Sequence, residues 1–137
     1  MKIIGLDQQE YSWIPSNNTV DTEKRSGLHN KAKELLKERY PNDRILEELV
    51  LPGTKTATRK STLKADFFIP VRKLIIEVHG EQHTEFNNFF FKSKMDFYKA
   101  QARDRDKKQW CEINNFELIE LFHNESIEEW RSKIWRN

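Results

Sequence analysis

The chain has 137 residues, with 24 Lys and Arg against 22 Asp and Glu, and a hydrophobic fraction of 36% that includes 9 Phe and 4 Trp. That is enough apolar mass for one domain with one core, and a net charge of +2 means that any case for a nucleic-acid partner rests on where the charges lie. The single cysteine, Cys111, excludes an internal disulfide and a Cys-rich zinc site, and the short apolar runs exclude a signal peptide and a membrane span, so a cytoplasmic protein is expected.

Residues 1–25 read as an N-terminal arm ahead of one domain at 26–137. Ile3, Ile4 and Leu6 suggest a short strand or turn, followed by an irregular stretch in which Trp13 is read as a core anchor. A first helix is predicted over 26–40, capped by Ser26 and ended by Pro41, with Leu28, Ala32, Leu35 and Leu36 on one face. Its opposite face carries Lys31, Lys33, Glu34, Lys37 and Glu38 and reads as solvated. Residues 44–51, RILEELVL, read as the first strand of the sheet, with both Glu47 and Glu48 expected in solvent. Residues 53–64 then supply Lys55, Arg59, Lys60 and Lys64 with no acid, which suits phosphate contacts and equally suits a solvated hairpin loop.

Residues 63–83 carry the densest chemistry. A strand over 64–69 places Asp66 among aromatic and apolar neighbours, Pro70 ends it, and a Leu-Ile-Ile-Glu-Val run over 73–79 reads as a strand buried on both faces. A hairpin of the two brings Asp66 near Glu77. An ionised carboxylate in an apolar setting costs several kcal/mol when nothing compensates it, so the pair is read as holding a cation. Mg2+, with Mn2+ as a substitute, accepts one or two carboxylates and keeps several waters. Lys or Arg partners in a half-exposed sheet are the alternative. His79 shares a face with Glu77 by the period of two, and Gln82 and His83 follow in the next turn.

Farther along, Phe86, Phe89, Phe90 and Phe91 crowd too closely to share one core. They are read as a surface for DNA bases or for a second copy of the chain, or as a flap folded over the domain. A long helix is predicted over 94–114. Gln101, Asp104, Lys108 and Cys111 form one stripe on it, and Met95, Tyr98, Ala102 and Trp110 form another that is expected to face the sheet. Residues 116–122 read as a closing strand, and Ser126 with Glu129 as the capping box of a last helix bearing Ile127, Trp130 and Ile134.

Asp66, a ten-residue gap and then Glu77-Val78-His79 resemble the core of the PD-(D/E)XK nuclease superfamily. The longer string DFFIP…LIIEVHGEQH…RDRDKKQW resembles its Vsr-like and DUF559-like branch, across roughly residues 26–123. Ala65 stands where the motif has Pro, and His79 where most of the superfamily has Lys, although the Vsr-like branch uses His in its active site. The resemblance implies an α/β, restriction-endonuclease-like fold with a mixed sheet flanked by helices, in the order arm, helix, three strands, helix, strand, helix. It also implies metal-dependent hydrolysis of DNA phosphodiesters.

In that resemblance Asp66, Glu77 and the Val78 carbonyl would hold Mg2+, and His79 would act as general base or orient the attacking water. Gln82 and His83 would lie near a leaving oxygen or second phosphate, and Asp104 and Lys108 would orient a phosphate or the water. The first helix would pack beside the site, which makes His29 and Glu34 secondary candidates expected at the surface, and Glu48, ahead of Glu47, a third carboxylate. Trp13 would have a second role as a wedge into the duplex. Two other readings remain: a non-catalytic nucleic-acid-binding or assembly protein on the same scaffold, and an interaction domain forming a homodimer through Phe86 to Phe91.

Overall fold

A computed structural model describes residues 1–16, 27–80 and 94–136; Ser26, Gln82, His83 and the segment from Phe86 to Phe91 lie outside the described residues. The described chain runs β1 (Lys2–Ile4), β2 (Glu10–Ser12), α1 (Gly27–Arg39), β3 (Leu46–Leu51), β4 (Leu63–Ile69), β5 (Leu74–His79), α2 (Lys94–Ile113), β6 (Glu117–Phe122) and α3 (Ile127–Trp135). β1 and β2 form a separate hairpin, and the four-stranded sheet has the order β3-β4-β5-β6. The first three strands are antiparallel and β6 is parallel to β5. A parallel neighbour requires a long crossover, which contains α2.

Local chemistry sets the turns. Pro70 has no amide to continue the ladder, so Pro70–Arg72 closes as a single 3-10 turn, and Lys73, at φ 50°, swings the chain into β5. Ser126 Oγ accepts from the Glu129 amide at 3.1 Å, which caps α3 as the sequence predicts.

The sheet separates two cores. On one face Trp110 and Cys111 of α2 pack with Leu49, Phe68, Ile75 and the hairpin's Ile3. Trp13 stacks on Phe68 at 5.2 Å and meets Trp110 edge-on at 5.5 Å, so it is a core anchor. The Asn114 side chain accepts from the Ile4 amide and donates to its carbonyl, at 2.7 and 2.9 Å, tying β1 to the end of α2. Gly53, at φ 75°, lies against Gly5 so closely that a Cβ would fall 2.4 Å from Gly5 Cα, which seats the hairpin on the chain leaving β3. On the other face Ala32, Leu35 and Leu36 of α1 and Trp130 and Ile134 of α3 cover Phe67, Ile76 and Leu121.

α2 is rotated from the expected orientation. Met95 and Tyr98 are exposed, at 61% and 55%, while Phe97, Ala100 and Cys111 are buried; Trp110 does face the sheet, as expected. The inward stripe runs Ala100, Asp104, Lys107, Cys111, and its two charged members hid it from a reading that sought apolar spacing. No described helix is long and apolar enough to cross a membrane.

Candidate functional site

The site lies where the pleat of β3 and β4 changes phase. Leu63 and Ala65 of β4 belong to the α2-side core, but beyond Asp66 it is Phe68 that does, while Phe67 and Ile69 face α1. β3 reverses in step: Leu46 and then Leu49 and Leu51 lie on the α2 side, with Glu48 between them at φ 54°. Glu47 pairs with Phe67 and Leu49 with Ala65, so Glu48 and Asp66 oppose each other at the reversal. A left-handed glutamate costs on the order of 1–3 kcal/mol and persists only where its surroundings enforce it.

Toward β5 the registered ladder includes Phe67 with Ile76 and ends there. Beyond it the two acids replace backbone partners. The Asp66 amide donates to Glu77 Oε2 at 2.9 Å, and the Val78 amide donates to Asp66 Oδ2 at 2.8 Å. Glu77 is only 2% exposed, and Lys107 of α2 reaches its Oε1 at 2.5 Å. Burial, and then the neighbouring Glu77, push the Asp66 carboxyl well above the usual carboxylate range. Burial works against the Lys107 charge, but Glu77, Asp66 and Asp104 together hold its ammonium above the ordinary lysine value. Lys107 is the chief member of the site that the sequence reading missed. Its signal was helical spacing: it lies three residues after Asp104 and four before the buried Cys111.

His79 is buried on the same face as Glu77, as expected, with Nδ1 3.7 Å from Asp104 Oδ2 and Nε2 3.4 Å from Glu120 Oε1. Its ring stacks on Phe122 at 4.9 Å. Glu120, opposite Glu77 in the β5–β6 register, was also missed; His79 is the main cause holding its carboxyl below the ordinary range, and Lys108 adds to it. Asp66, Glu77, Val78, His79, Asp104 and Lys107 line one cavity of about 80 Å³. His79 and Asp104 also border a wider cleft of about 340 Å³ with Gln101, Lys108 and Glu120. The sequence-predicted Asp66, Glu77, Val78, His79 and Asp104 are therefore neighbours, and the exposed Lys108 stands at the cleft.

On the α1 side two expectations are corrected. His29 is buried rather than at the surface, stacked on Phe67 at 4.4 Å with Nε2 3.0 Å from Glu47 Oε1. Glu47 is buried too, because the pleat turns it under α1, where Lys33 meets its other oxygen at 3.0 Å. Glu34 is exposed, as expected. His29, Glu48 and Asp66 each offer a ligand atom, and these atoms all lie within 4.8 Å of one another. Glu48, the preferred third carboxylate, thus lies beside Asp66.

In the basic loop Lys55, Lys60 and Lys64 are exposed. Arg59 is engaged instead: it donates to the Thr54 carbonyl at 2.7 Å and pairs with Asp106 at 3.0 Å, fastening the loop to α2. The Thr54 hydroxyl closes the loop base, donating to the Leu51 carbonyl at 2.7 Å and accepting from the Leu63 amide at 2.8 Å.

No family model matches this sequence, and no solved structure matches it. Uncharacterized protein 307L of Invertebrate iridescent virus 6 is 37% identical over 70 residues, which are 51% of this chain and 36% of that protein. Uncharacterized protein 033L of Invertebrate iridescent virus 3 is 38% identical over 61 residues, 44% of this chain and 31% of its own length. The chain thus matches these curated relatives over about a third of their length.

Proposed function

We propose that the chain is a metal-dependent DNA endonuclease of the PD-(D/E)XK, restriction-endonuclease-like type, with the Vsr-like branch as its nearest resemblance. The observation that carries this reading is the buried Glu77 with the half-buried Asp66 and Lys107 at the point where β4 and β5 separate, with His79 and Asp104 lining the same cavity. His79 occupies the position where most of that superfamily has Lys, and Lys107 brings an ammonium to the neighbouring Glu77 from α2.

The donor set fits a hard divalent ion. Two desolvated carboxylates lie side by side, and the raised Asp66 carboxyl is a charge conflict that a cation relieves. Asp66, Glu77 and the Val78 carbonyl would hold Mg2+, or Mn2+ in its place. Such an ion supplies charge against a phosphate oxygen and acidifies a nearby water. His79, with Asp104 and Glu120 near its two nitrogens, is set to orient that water or to take its proton. Lys107 fixes the Glu77 carboxylate and brings positive charge to the cavity. Lys55, Lys60 and Lys64 offer exposed charge for the DNA backbone, with Lys108 at the cleft.

One observation favours a non-catalytic nucleic-acid-binding or assembly protein on this scaffold instead: the Lys107 ammonium offsets the charge of the buried Glu77 carboxylate without any metal. A cleavage assay separates the two. Labelled duplex, mismatched, branched and single-stranded DNAs are incubated with Mg2+, Mn2+ or EDTA, beside Asp66→Ala. Metal-dependent products that vanish in the variant while DNA binding persists support the nuclease. Cleavage that survives in Asp66→Ala refutes this assignment.

A further inference from the structure

We propose that the outer edge of β6 is a self-association surface, on which a second copy of this chain pairs its own β6 antiparallel about a two-fold axis through Leu118. β6 ends the four-stranded sheet. A groove of about 260 Å³ runs along it, lined by residues of β6 and by Lys133 and Arg136. The Glu117 amide donates to the Lys73 carbonyl and the His123 amide to the His79 carbonyl, both at 2.9 Å, so the odd-numbered amides of β6 face β5. A planar trans peptide points its two polar groups in opposite directions. The carbonyls of Phe116, Leu118, Glu120 and Phe122 and the amides of Leu118, Glu120 and Phe122 therefore point away from the sheet.

Side chains close only the far half of this edge. Trp130 Nε1 donates to the Phe122 carbonyl at 3.0 Å, the Phe122 amide donates to Glu125 Oε1 at 2.8 Å, and Lys133 Nζ donates to the Glu120 carbonyl at 2.8 Å. Among the described residues, the outward groups left over are the Leu118 amide and carbonyl, the Glu120 amide and the Phe116 carbonyl. An open edge is a template for another strand. In the register that sets Leu118 against Leu118, those two residues exchange both bonds, and each Glu120 amide meets the Phe116 carbonyl of the other copy. The other two groups of that pair are already engaged: the Phe116 amide donates to the Cys111 carbonyl at 2.9 Å, and the Glu120 carbonyl accepts from Lys133. Backbone bonding is thus completed on both copies at once. Charge is complementary as well. Ile119 lies on the α3 side of the sheet, and the register brings Glu117 of the second copy opposite it, where the exposed Arg136 lines the groove. The two-fold axis makes this Glu117–Arg136 pair twice, as an isologous contact requires of one patch that carries both signs. The pairing goes beyond the nuclease reading and does not depend on it.

Sedimentation equilibrium of the full chain from about 1 μM to about 1 mM tests the proposal, beside Glu117→Arg, Arg136→Glu and the double exchange. The 16.5 kDa chain should pass to a species of twice that mass as concentration rises. Each single reversal should weaken association by about tenfold or more, because it sets like charges together twice, and the double exchange should restore it to within about threefold. Amide hydrogen exchange followed by mass spectrometry needs no substitution: the Leu118 and Glu120 amides should exchange slowly in the concentrated sample and fast in the dilute one. A chain that stays monomeric throughout overturns the proposal and leaves the edge to a different partner. A dimer whose Leu118 and Glu120 amides exchange as fast as in the monomer, or that the double exchange fails to restore, is built on another surface and overturns it too. A dimer with both marks that cleaves no DNA supports this edge while removing the nuclease reading.

Discussion

Replacing Lys107 with Met keeps most of the side chain and deletes the ammonium that lies 2.5 Å from Glu77 Oε1. Glu77 and Asp66 would then face each other in a buried gap without that countercharge. Removing one partner of a buried ion pair costs about 3–5 kcal/mol. The Lys107 side chain is 18% exposed against 3% for Glu77, so the low end applies, about 3 kcal/mol. For a domain of this size that corresponds to a fall in Tm of roughly 10 °C.

The loss should depend on pH. Asp66 already titrates above its ordinary 3.8 in the folded protein, through burial and the neighbouring Glu77, and without the lowering influence of Lys107 it retains its proton to still higher pH. A carboxyl with a raised folded pKa contributes stability that is present below its unfolded value and lost as pH rises toward the folded one. Compared from about pH 5 to about pH 8, the variant should therefore fall further below the wild type wherever the pH lies between the two proteins' folded Asp66 values, by up to about 1.4 kcal/mol per unit. The Lys107 pKa is itself raised above 10.5, so the wild-type ammonium stays charged throughout that range. Thermal unfolding followed by circular dichroism at both ends of the range, with and without Mn2+, makes the test. Mn2+ should restore part of the variant's Tm by replacing the lost charge. A Tm fall equal at both pH values and untouched by Mn2+ would mean that Lys107 acts by packing alone, and the electrostatic account of the site would be refuted.

Other perturbations probe separate parts. Changing Lys55, Lys60 and Lys64 together to Ala should reduce the slope of log affinity against log salt for duplex DNA by about 2.7, at about 0.9 per phosphate contact, with thermal stability unchanged; an unaltered slope would remove the loop from the DNA interface. Trp13→Ala opens the space between Phe68 and Trp110 and should cost about 3–5 kcal/mol in urea unfolding, whereas a cost under about 1 kcal/mol would mean that the hairpin is dispensable to the core. His79→Ala removes the chief cause of the lowered Glu120 carboxyl, so its NMR titration should move up toward the ordinary 4.5. In the wild type the linked stability is present above that ordinary value and lost as pH falls through the lowered one, and this acid-limb loss should shrink in the variant.

What the sequence revealed follows from how local each signal is. The Asp66 and Glu77 strands are joined by one short turn, and an acid inside an apolar β run is conspicuous, so that pair could be read directly. Trp13 was readable as core because a large aromatic has few other low-energy places. The α3 cap was readable because a capping box is a four-residue motif. Lys107, His29 and Glu47 were not. Each is a charged or polar residue in a stretch that carries further charged residues within one turn or two positions, and local pattern assigns such residues to solvent. Only the tertiary placement of α1 and α2 turns them inward, and α2 misled most because its inner stripe contains Asp104 and Lys107 among few apolar residues.

The same geometry explains why these groups converge on Asp66. On a regular strand a side chain belongs to one face, and Asp66 would be reached from α1 or from α2 but not from both. The paired reversal at Glu48 and Asp66 breaks that alternation, and the bonds from the Asp66 amide to Glu77 and from the Val78 amide to Asp66 take the place of the backbone ladder between β4 and β5 at the same point. α1 delivers His29 from one side of the opening and α2 delivers Lys107 from the other. The strain in Glu48 and the burial of the Asp66 carboxyl are thus two parts of one arrangement, and relieving either should loosen both. Glu48→Gly accepts the left-handed backbone without strain, so it should raise the Tm of the chain even as it removes the carboxylate that lies beside Asp66. A Tm unchanged or lowered in Glu48→Gly would show that the left-handed glutamate stores no strain at the reversal.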